Sequence, residues 1–316
     1  MSSESSDWNW KLRLFTSADL VGSTAYKASK TDSRWAPTFK EFFSEFPSAL
    51  ANAYNELPEK FPTPPSRLQS WKFSGDEILS WVQLNSSTHV PSHLWAFKKA
   101  VNEFPGMWKF KELPLKLKAT AWLAGFPVTN TEIRIAAGEH GSAPFLDFIG
   151  PSMDLGFRIA KYTTVRQFVI SADLALMLLD ASDHLETDRK LFQLHLHGLE
   201  PLKGVIDNEP YPIFWIDMRD GAPLLEETLL GVRRDFRADD IKEYLRSFID
   251  GTPKLRRPFI ENDQLARYSA PDKELEELRQ EMQAEGTLRF YTDKEPPETQ
   301  GEERVPRAPL LTLSYF

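Results

Sequence analysis

Trp10-Lys-Leu-Arg-Leu-Phe-Thr-Ser-Ala-Asp19-Leu-Val-Gly-Ser-Thr24 is the stretch on which the reading of this chain turns. Leu12, Leu14 and Thr16 alternate against polar neighbours, the period of two expected of a half-buried strand. The strand ends on a carboxylate, Asp19, and a Gly-led turn into a short helix follows at once. That order suits a metal and a phosphate together. Hard Mg²⁺ or Mn²⁺ takes carboxylate and carbonyl oxygens, and the backbone N–H groups of Gly22, Ser23 and Thr24 can serve phosphate oxygens at a helix start. For so short a string standing alone, a capped turn with no ligand is the plainer reading.

A second carboxylate changes the weight of the first. Downstream, Leu68-Gln-Ser-Trp-Lys-Phe73, a Ser74-Gly-Asp76 turn and Glu77-Ile-Leu-Ser-Trp-Val82 predict a β-hairpin with Asp76 at its tip. If the hairpin lies beside the first strand, Asp19 and Asp76 can hold two ions between them, one activating a ribose hydroxyl and the other stabilising a leaving pyrophosphate. Between the two motifs, Phe39, Phe42, Phe43, Phe46, Leu50 and Ala53 recur at helical spacing, predicting a helix over 38–57 with a core-facing aromatic stripe and an expected kink at Pro47.

Further on, a helix is expected near 93–103 and a strand at 115–124, with more strands and a helix among 131–137, 153–162, 168–171, 192–198 and 211–218. This order predicts an α+β fold: a mostly antiparallel central sheet covered by helices on one side, forming a catalytic domain over 8–218. After Met218 the character changes. Helices are expected at 238–249 and 273–285, and residues 271–304 carry eleven acidic against five basic side chains. The expectation for 219–316 is therefore a helical, acidic, partly disordered C-terminal extension, not a second catalytic domain.

Bulk composition narrows the function classes. The 316 residues with 41% apolar content suffice for a packed core, and the absence of cysteine removes disulfides, thiolate metal sites and a Cys nucleophile. A net charge of −8 argues against a general nucleic-acid binder, so a phosphate ligand must be held locally by metals and a few placed cations. No apolar run approaches the ~18 residues of a membrane span, and Met1-Ser-Ser-Glu-Ser-Ser-Asp7 lacks secretory character, so no membrane association and a cytoplasmic location are expected. There is no Walker, Rossmann or Gly-x-Ser-x-Gly string. His195 and His197 share a strand face, but no third metal ligand is near in sequence, and a half-exposed strand is the plainer reading.

Over residues 10–217 the motifs resemble, in order, those of the class III nucleotidyl cyclases. Asp19-Leu-Val-Gly-Ser-Thr24 is similar to the family's first metal motif, and Lys72-Phe-Ser-Gly-Asp76 to its Lys-x-x-Gly-Asp hairpin. Asp147-Phe-Ile-Gly150-Pro-Ser-Met-Asp154-Leu-Gly-Phe-Arg158 is similar to its Asp-x-x-Gly-x-x-Val-Asn-x-Ala-x-Arg segment, and Leu202-Lys203-Gly204 to its Lys-Gly element. The resemblance implies a ferredoxin-like, palm-type catalytic sheet. It also implies two divalent cations, Mn²⁺ or Mg²⁺, on Asp19, the adjoining Leu20 through its carbonyl, and Asp76. Lys72 and Asp147 would face the base, Arg158 would steady the α-phosphate and Lys203 would bind the terminal phosphates, with Gly22, Ser23 and Thr24 also at the substrate. Family sites form between two copies, so a homodimer with composite sites is implied. Asp154 departs from the pattern, since the family has Asn there. A carboxylate beside a pentavalent phosphate must be protonated, paired with Arg158 or turned aside, and a helix N-terminal carboxylate is its alternative reading.

Within the family the chain resembles the bacterial pyrimidine cyclases (uridylate or cytidylate) of the Pycsar anti-phage defence system, on Trp71-Lys-Phe-Ser-Gly-Asp-Glu-Ile78 and the Gly150 to Ile159 segment. That implies UTP to 3′,5′-cyclic UMP, a product read by a separate effector protein, and Tyr54 shaping the base pocket. A core-capping tyrosine is the plainer alternative for Tyr54. The competing readings are a cytidylate or purine cyclase, a diguanylate-cyclase-like enzyme suggested by Ser74-Gly-Asp-Glu-Ile78, and a catalytically degenerate nucleotide-binding dimerisation module.

Overall fold

A computed structural model describes residues 8–107, 115–135, 145–187, 189–219 and 237–285. Its centre is a seven-stranded sheet in the order β2-β3-β1-β4-β7-β9-β8. The strands are β1 (Lys11–Val21), β2 (Gln69–Ser74), β3 (Glu77–Leu84), β4 (Lys116–Phe126), β7 (Gln167–Ile170), β8 (Leu194–Pro201) and β9 (Pro210–Asp217). Every pairing is antiparallel except β4 with β7. A separate two-stranded hairpin joins β5 (Thr131–Ile135) to β6 (Phe145–Ile149). The helices are α1 (Ser23–Ala28), α2 (Ala36–Ala53), α3 (Val90–Met107), α4 (Pro151–Ile159), α5 (Ala172–His184), α6 (Ala238–Gly251) and α7 (Lys273–Glu285).

Sheet register decides which side chains share a face. Leu12, Leu14, Thr16 and Ala18 of β1 stand in register with Leu84, Val82, Ser80 and Ile78 of β3, and Phe73 of β2 is in register with Ile78. The Phe73 ring meets Phe43 of α2 at 4.9 Å, so α2 lies on this face. The aromatic stripe of α2 then reaches α3 and the sheet through Phe42–Phe104, Phe46–Phe97 and Phe97–Phe168 contacts. The helix runs through Pro47 without interruption.

The opposite face carries Arg13, Phe15, Ser17 and Asp19. β1 does not alternate between buried and exposed as the sequence suggested: Arg13 is 2% exposed and Phe15 fully buried. The β5–β6 hairpin covers this side, with Phe148 against Phe15, Trp71, Trp81 and Phe126 at 5.0–5.6 Å. α4 covers it further along, where Gly156 lies against the indole of Trp122. Helices therefore lie on both sides of the sheet.

The C-terminal residues 237–285 join the same core. Ile241, Leu245, Ile249 and Tyr268 are buried with it, Lys242 pairs with Asp183, and the Tyr268 hydroxyl donates to Asp180 at 2.9 Å. Trp10 at the start of β1 donates to Glu276 of α7 at 3.2 Å. Of the expected 219–316 extension, residues 237–285 are thus helical and docked; 220–236 and 286–316 lie outside the described residues, and with them the expected partial disorder.

Candidate active site

Asp19 lies on the odd face of β1, two residues before the strand ends at Val21 and not at its end as expected, in register with Glu77 of β3 and Lys118 of β4. Asp76 comes alongside it because the β2–β3 hairpin turns at Gly75, whose φ of +67° suits glycine. The Leu20 N–H donates to the Asp76 carbonyl at 3.2 Å, which ties the two backbones together. Gly22, at φ +87°, swings the chain out of β1, and the Ser23 hydroxyl donates to the Asp76 carboxylate. A cavity of about 670 Å³ results, lined by Asp19, Leu20, Gly22, Ser23, Thr24 and Asp76 together with Lys118 and Thr163–Val165. All six residues read from the first two motifs for metal and phosphate therefore converge.

The electrostatics favour a cation here. Burial holds the Asp19 carboxyl above its ordinary range; Lys118, 2.8 Å away, opposes this, and the neighbouring Asp76 charge reinforces it. Burial likewise raises Glu77, against a hydrogen bond from Ser17, with the Asp19 and Asp76 charges adding to the rise. Carboxyls held up by burial and mutual repulsion gain by sharing a cation. The hard oxygen donors fit Mg²⁺ or Mn²⁺. Among the described residues no three His, Asp or Glu side chains form a metal-ligand group, so a cation held by Asp19 and Asp76 would need backbone, water or ligand oxygens to complete its shell. Lys118 and Glu77 escaped the sequence reading. The available signal was Lys116-Leu-Lys118, whose period of two on an otherwise apolar strand puts Lys118 on a definite face.

Lys72 and Asp147 form a second group on the same face, paired at 2.8 Å, with the ammonium 4.1 Å from the Trp71 ring centre. Asp154 is exposed in the first turn of α4, and Arg158 is half-buried in its last turn. The two make no ion pair with each other, and neither lines the cavity. Lys203 is exposed in the β8–β9 connection, where Gly204 adopts φ +77° and its N–H donates to Asn208. The structure thus gathers Asp19, Leu20, Gly22–Thr24 and Asp76 around one cavity and pairs Lys72 with Asp147, while Asp154, Arg158 and Lys203 are not among the residues lining that cavity.

Tyr54 is a correction. It is 4% exposed, its hydroxyl is 2.7 Å from His93 Nδ1 and accepts from the Leu68 N–H, and it does not line the cavity. Helical periodicity put it on the core side of α2, and the core is where it stays. His195 stacks on Trp215 at 4.3 Å, while His197 meets Tyr162, so the two histidines take separate aromatic partners.

No protein-family model matches the chain, and no curated protein sequence matches it. Solved structures do. The adenylyl cyclase CyaB from P. aeruginosa is 13% identical, with 72% of this chain and 98% of that one covered at a TM-score of 0.50. The guanylate cyclase domain of RhGC from Catenaria anguillulae is 12% identical, with 66% and 97% covered at a TM-score of 0.46. The fold is that of the class III nucleotidyl cyclase catalytic domain, an α+β domain built on a mostly antiparallel sheet.

Proposed function

We propose that the chain is a nucleotide cyclase that converts a nucleoside triphosphate, UTP by preference, to its 3′,5′-cyclic monophosphate and pyrophosphate. The observation that carries this is the convergence of Asp19 and Asp76 with the Gly22–Thr24 turn in one cleft on the face that also presents Lys72–Asp147. Asp19, Asp76 and the Leu20 carbonyl would hold two divalent cations, Mn²⁺ or Mg²⁺, which when bound lower the charge of the triphosphate and acidify the ribose 3′-hydroxyl. The Gly22–Thr24 backbone orients phosphate oxygens, and Lys72 with Asp147 reads the base edge. Arg158 offers a fixed fork of donors to the charge gathering on the α-phosphate, and Lys203 a mobile point charge to the terminal phosphates. Asp154, exposed and unpaired with Arg158, is turned aside in the single chain, which suits the helix-terminus reading.

That Arg158 does not line the Asp19–Asp76 cavity within one chain supports sites shared by two copies. Ile149, Phe157 and Val165 are 51%, 40% and 37% exposed around α4 and the cleft, an apolar surface that a second copy would cover. The homodimer would then carry two composite sites and the monomer none. Among the described residues no helix is long and apolar enough to cross a membrane. The preference for UTP, and a role in anti-phage defence through a separate effector that reads the product, rest on the motif resemblance. A purine cyclase is the second reading, consistent with the purine cyclases that share the fold. Incubating the protein with ATP, GTP, CTP and UTP in Mn²⁺ and identifying products by mass spectrometry tests the proposal. Cyclic UMP supports it in full, another cyclic nucleotide redirects the substrate, and no product from any of the four refutes it in favour of a degenerate binding module.

A further inference from the structure

The β5–β6 hairpin carries Asp147 yet belongs to no larger sheet. A two-stranded hairpin is marginal in isolation, so its position depends on what fastens it down. Besides the Lys72–Asp147 pair and the longer Lys11–Glu132 contact, three attachments hold it among the described residues. Trp71 Nε1 donates to the Leu146 carbonyl at 2.9 Å. Phe148 plugs an aromatic cage, and its N–H donates to the Asp147 carboxylate at 2.9 Å, so the seating of Phe148 sets the direction of that carboxylate. The third attachment is ionic: Arg13 Nη2 of β1 donates to Glu132 of β5 at 2.6 Å, and Glu132 is in register with Phe148 across the hairpin.

Arg13 is unusual for a central strand. It is 2% exposed, and its guanidinium lies 4.7–4.9 Å from the ring centres of Trp81, Phe126 and Phe148. Its Nε and Nη1 have no hydrogen-bond partner among the described residues. Burying a guanidinium is costly unless its partner is held well, and a packed apolar side chain would serve stability as well or better. What the charge adds is direction: among the described residues Arg13 has Glu132 as its one acidic partner, and that partner is reached only when the hairpin sits in one register over the sheet. Glu132 also accepts from Arg134 at 2.6 Å and from Lys11 at 3.4 Å, which fixes its carboxylate from the solvent side.

We infer that Arg13 and Glu132 form a positioning clasp that seats the β5–β6 hairpin, and through Phe148 orients Asp147 toward Lys72, so setting affinity and selectivity for the substrate base. This rests on the proposed role of Lys72 and Asp147 as base readers. Neither clasp residue touches substrate; they act through Phe148 and Asp147.

The test is the double variant Arg13→Met/Glu132→Gln, which removes both charges without leaving one buried alone, so that the fold persists. Amide exchange over 145–149 is expected to speed by about tenfold or more against unchanged protection in α3, reporting a loosened hairpin. In steady-state assays the KM for the preferred triphosphate should rise about tenfold with kcat within about twofold, the signature of lost binding that is equal in ground and transition states. Discrimination between pyrimidine and purine triphosphates should narrow with it. A folded variant with wild-type exchange over 145–149 overturns the clasp. Faster exchange with unchanged KM and selectivity, while Asp147→Ala raises KM in the same assay, overturns its functional role. If Lys72→Ala and Asp147→Ala leave KM unmoved as well, the base-reading assignment falls and the inference with it, and the exchange data tell that failure apart from failure of the clasp.

Discussion

Gly156→Ala is the substitution whose outcome the structure specifies most sharply. A Cβ at this position would stand 2.3 Å from two atoms of the Trp122 indole and 2.6 Å from a third. Ordinary carbon contacts lie at about 3.5–4.0 Å, so α4 or the indole must move by more than an ångström. The indole has little freedom, being fully buried and stacked on Phe15 at 5.6 Å. Replacing a helical Gly by Ala gains about 1 kcal/mol in propensity, while overpacking a filled core costs about 1–3 kcal/mol and can cost more. A contact of 2.3 Å puts the cost in the upper part of that range, about 2–3 kcal/mol, so the net expectation is a loss of ~1–2 kcal/mol, read as a melting point lower by about 2–8 °C. Activity should suffer more than stability, because α4 carries Arg158 and a displacement of about 1 Å at a catalytic group can lower turnover about 100-fold. The assay is calorimetry paired with cyclase turnover, with Gly125→Ala as control, since a Cβ there meets nothing within 4 Å. A Gly156→Ala protein with wild-type melting and wild-type turnover would refute the packing argument and the placement of Arg158 that follows from it.

Asp76→Ala is expected to abolish turnover while circular dichroism and oligomeric state stay unchanged, because a turn carboxylate contributes little packing; surviving turnover counts against the metal assignment. Mixing Arg158→Ala with Asp19→Ala should restore part of the activity through one intact composite site, and no recovery from a confirmed mixed dimer speaks against shared sites. Mn²⁺ at about ten times its Kd should stabilise the wild type by ~1.4 kcal/mol and leave an Asp19→Ala/Asp76→Ala double variant unmoved, as followed by thermal melting. Acid should destabilise the fold through two groups. Burial would raise both, but Arg134 and Arg13 hold Glu132 down to about 2, and Arg166 with Arg219 does the same for Asp217. Each contributes stability that is present above its unfolded pKa, near 4, and lost as pH falls toward 2; Asp19 and Glu77, raised in the fold, act with the opposite sign. Urea unfolding between pH 6 and 2.5 should therefore show a shallower acid loss in Arg13→Met/Glu132→Gln.

Much of the site could be read along the chain because its parts are local. Asp19 with Gly22–Thr24 and Lys72 with Asp76 each occupy a few consecutive residues, and both carboxylates sit where a strand must turn, so a strand period followed by a glycine placed them. The long helix α2 was legible for the same kind of reason, a stripe of aromatics at a period near 3.6. The expected helix over 38–57 and the observed Ala36–Ala53 differ by little more than fraying. α5 escaped, since Leu174 to Leu179 are buried all round and present no contrast from which a period can be read. β6 hid inside a motif that was read for its chemistry and not for its strand.

Three things needed the folded chain. Register across β1, β3 and β4 put Glu77 and Lys118 beside Asp19, and residues more than fifty positions apart leave no trace of such pairing in a single sequence. Burial on both faces made Arg13 an interior cation; along the chain it looks like the polar half of an alternating strand, because the hairpin that covers it comes more than a hundred residues later. Tyr54 went the other way, from a possible base reader to a core residue, because the partner of its hydroxyl, His93, lies on another helix. The sequence states which chemical groups are present and which of them are neighbours along the backbone, since turns and periodicity are short-range. Which of those groups meet across the sheet is decided by packing, a property of the whole chain.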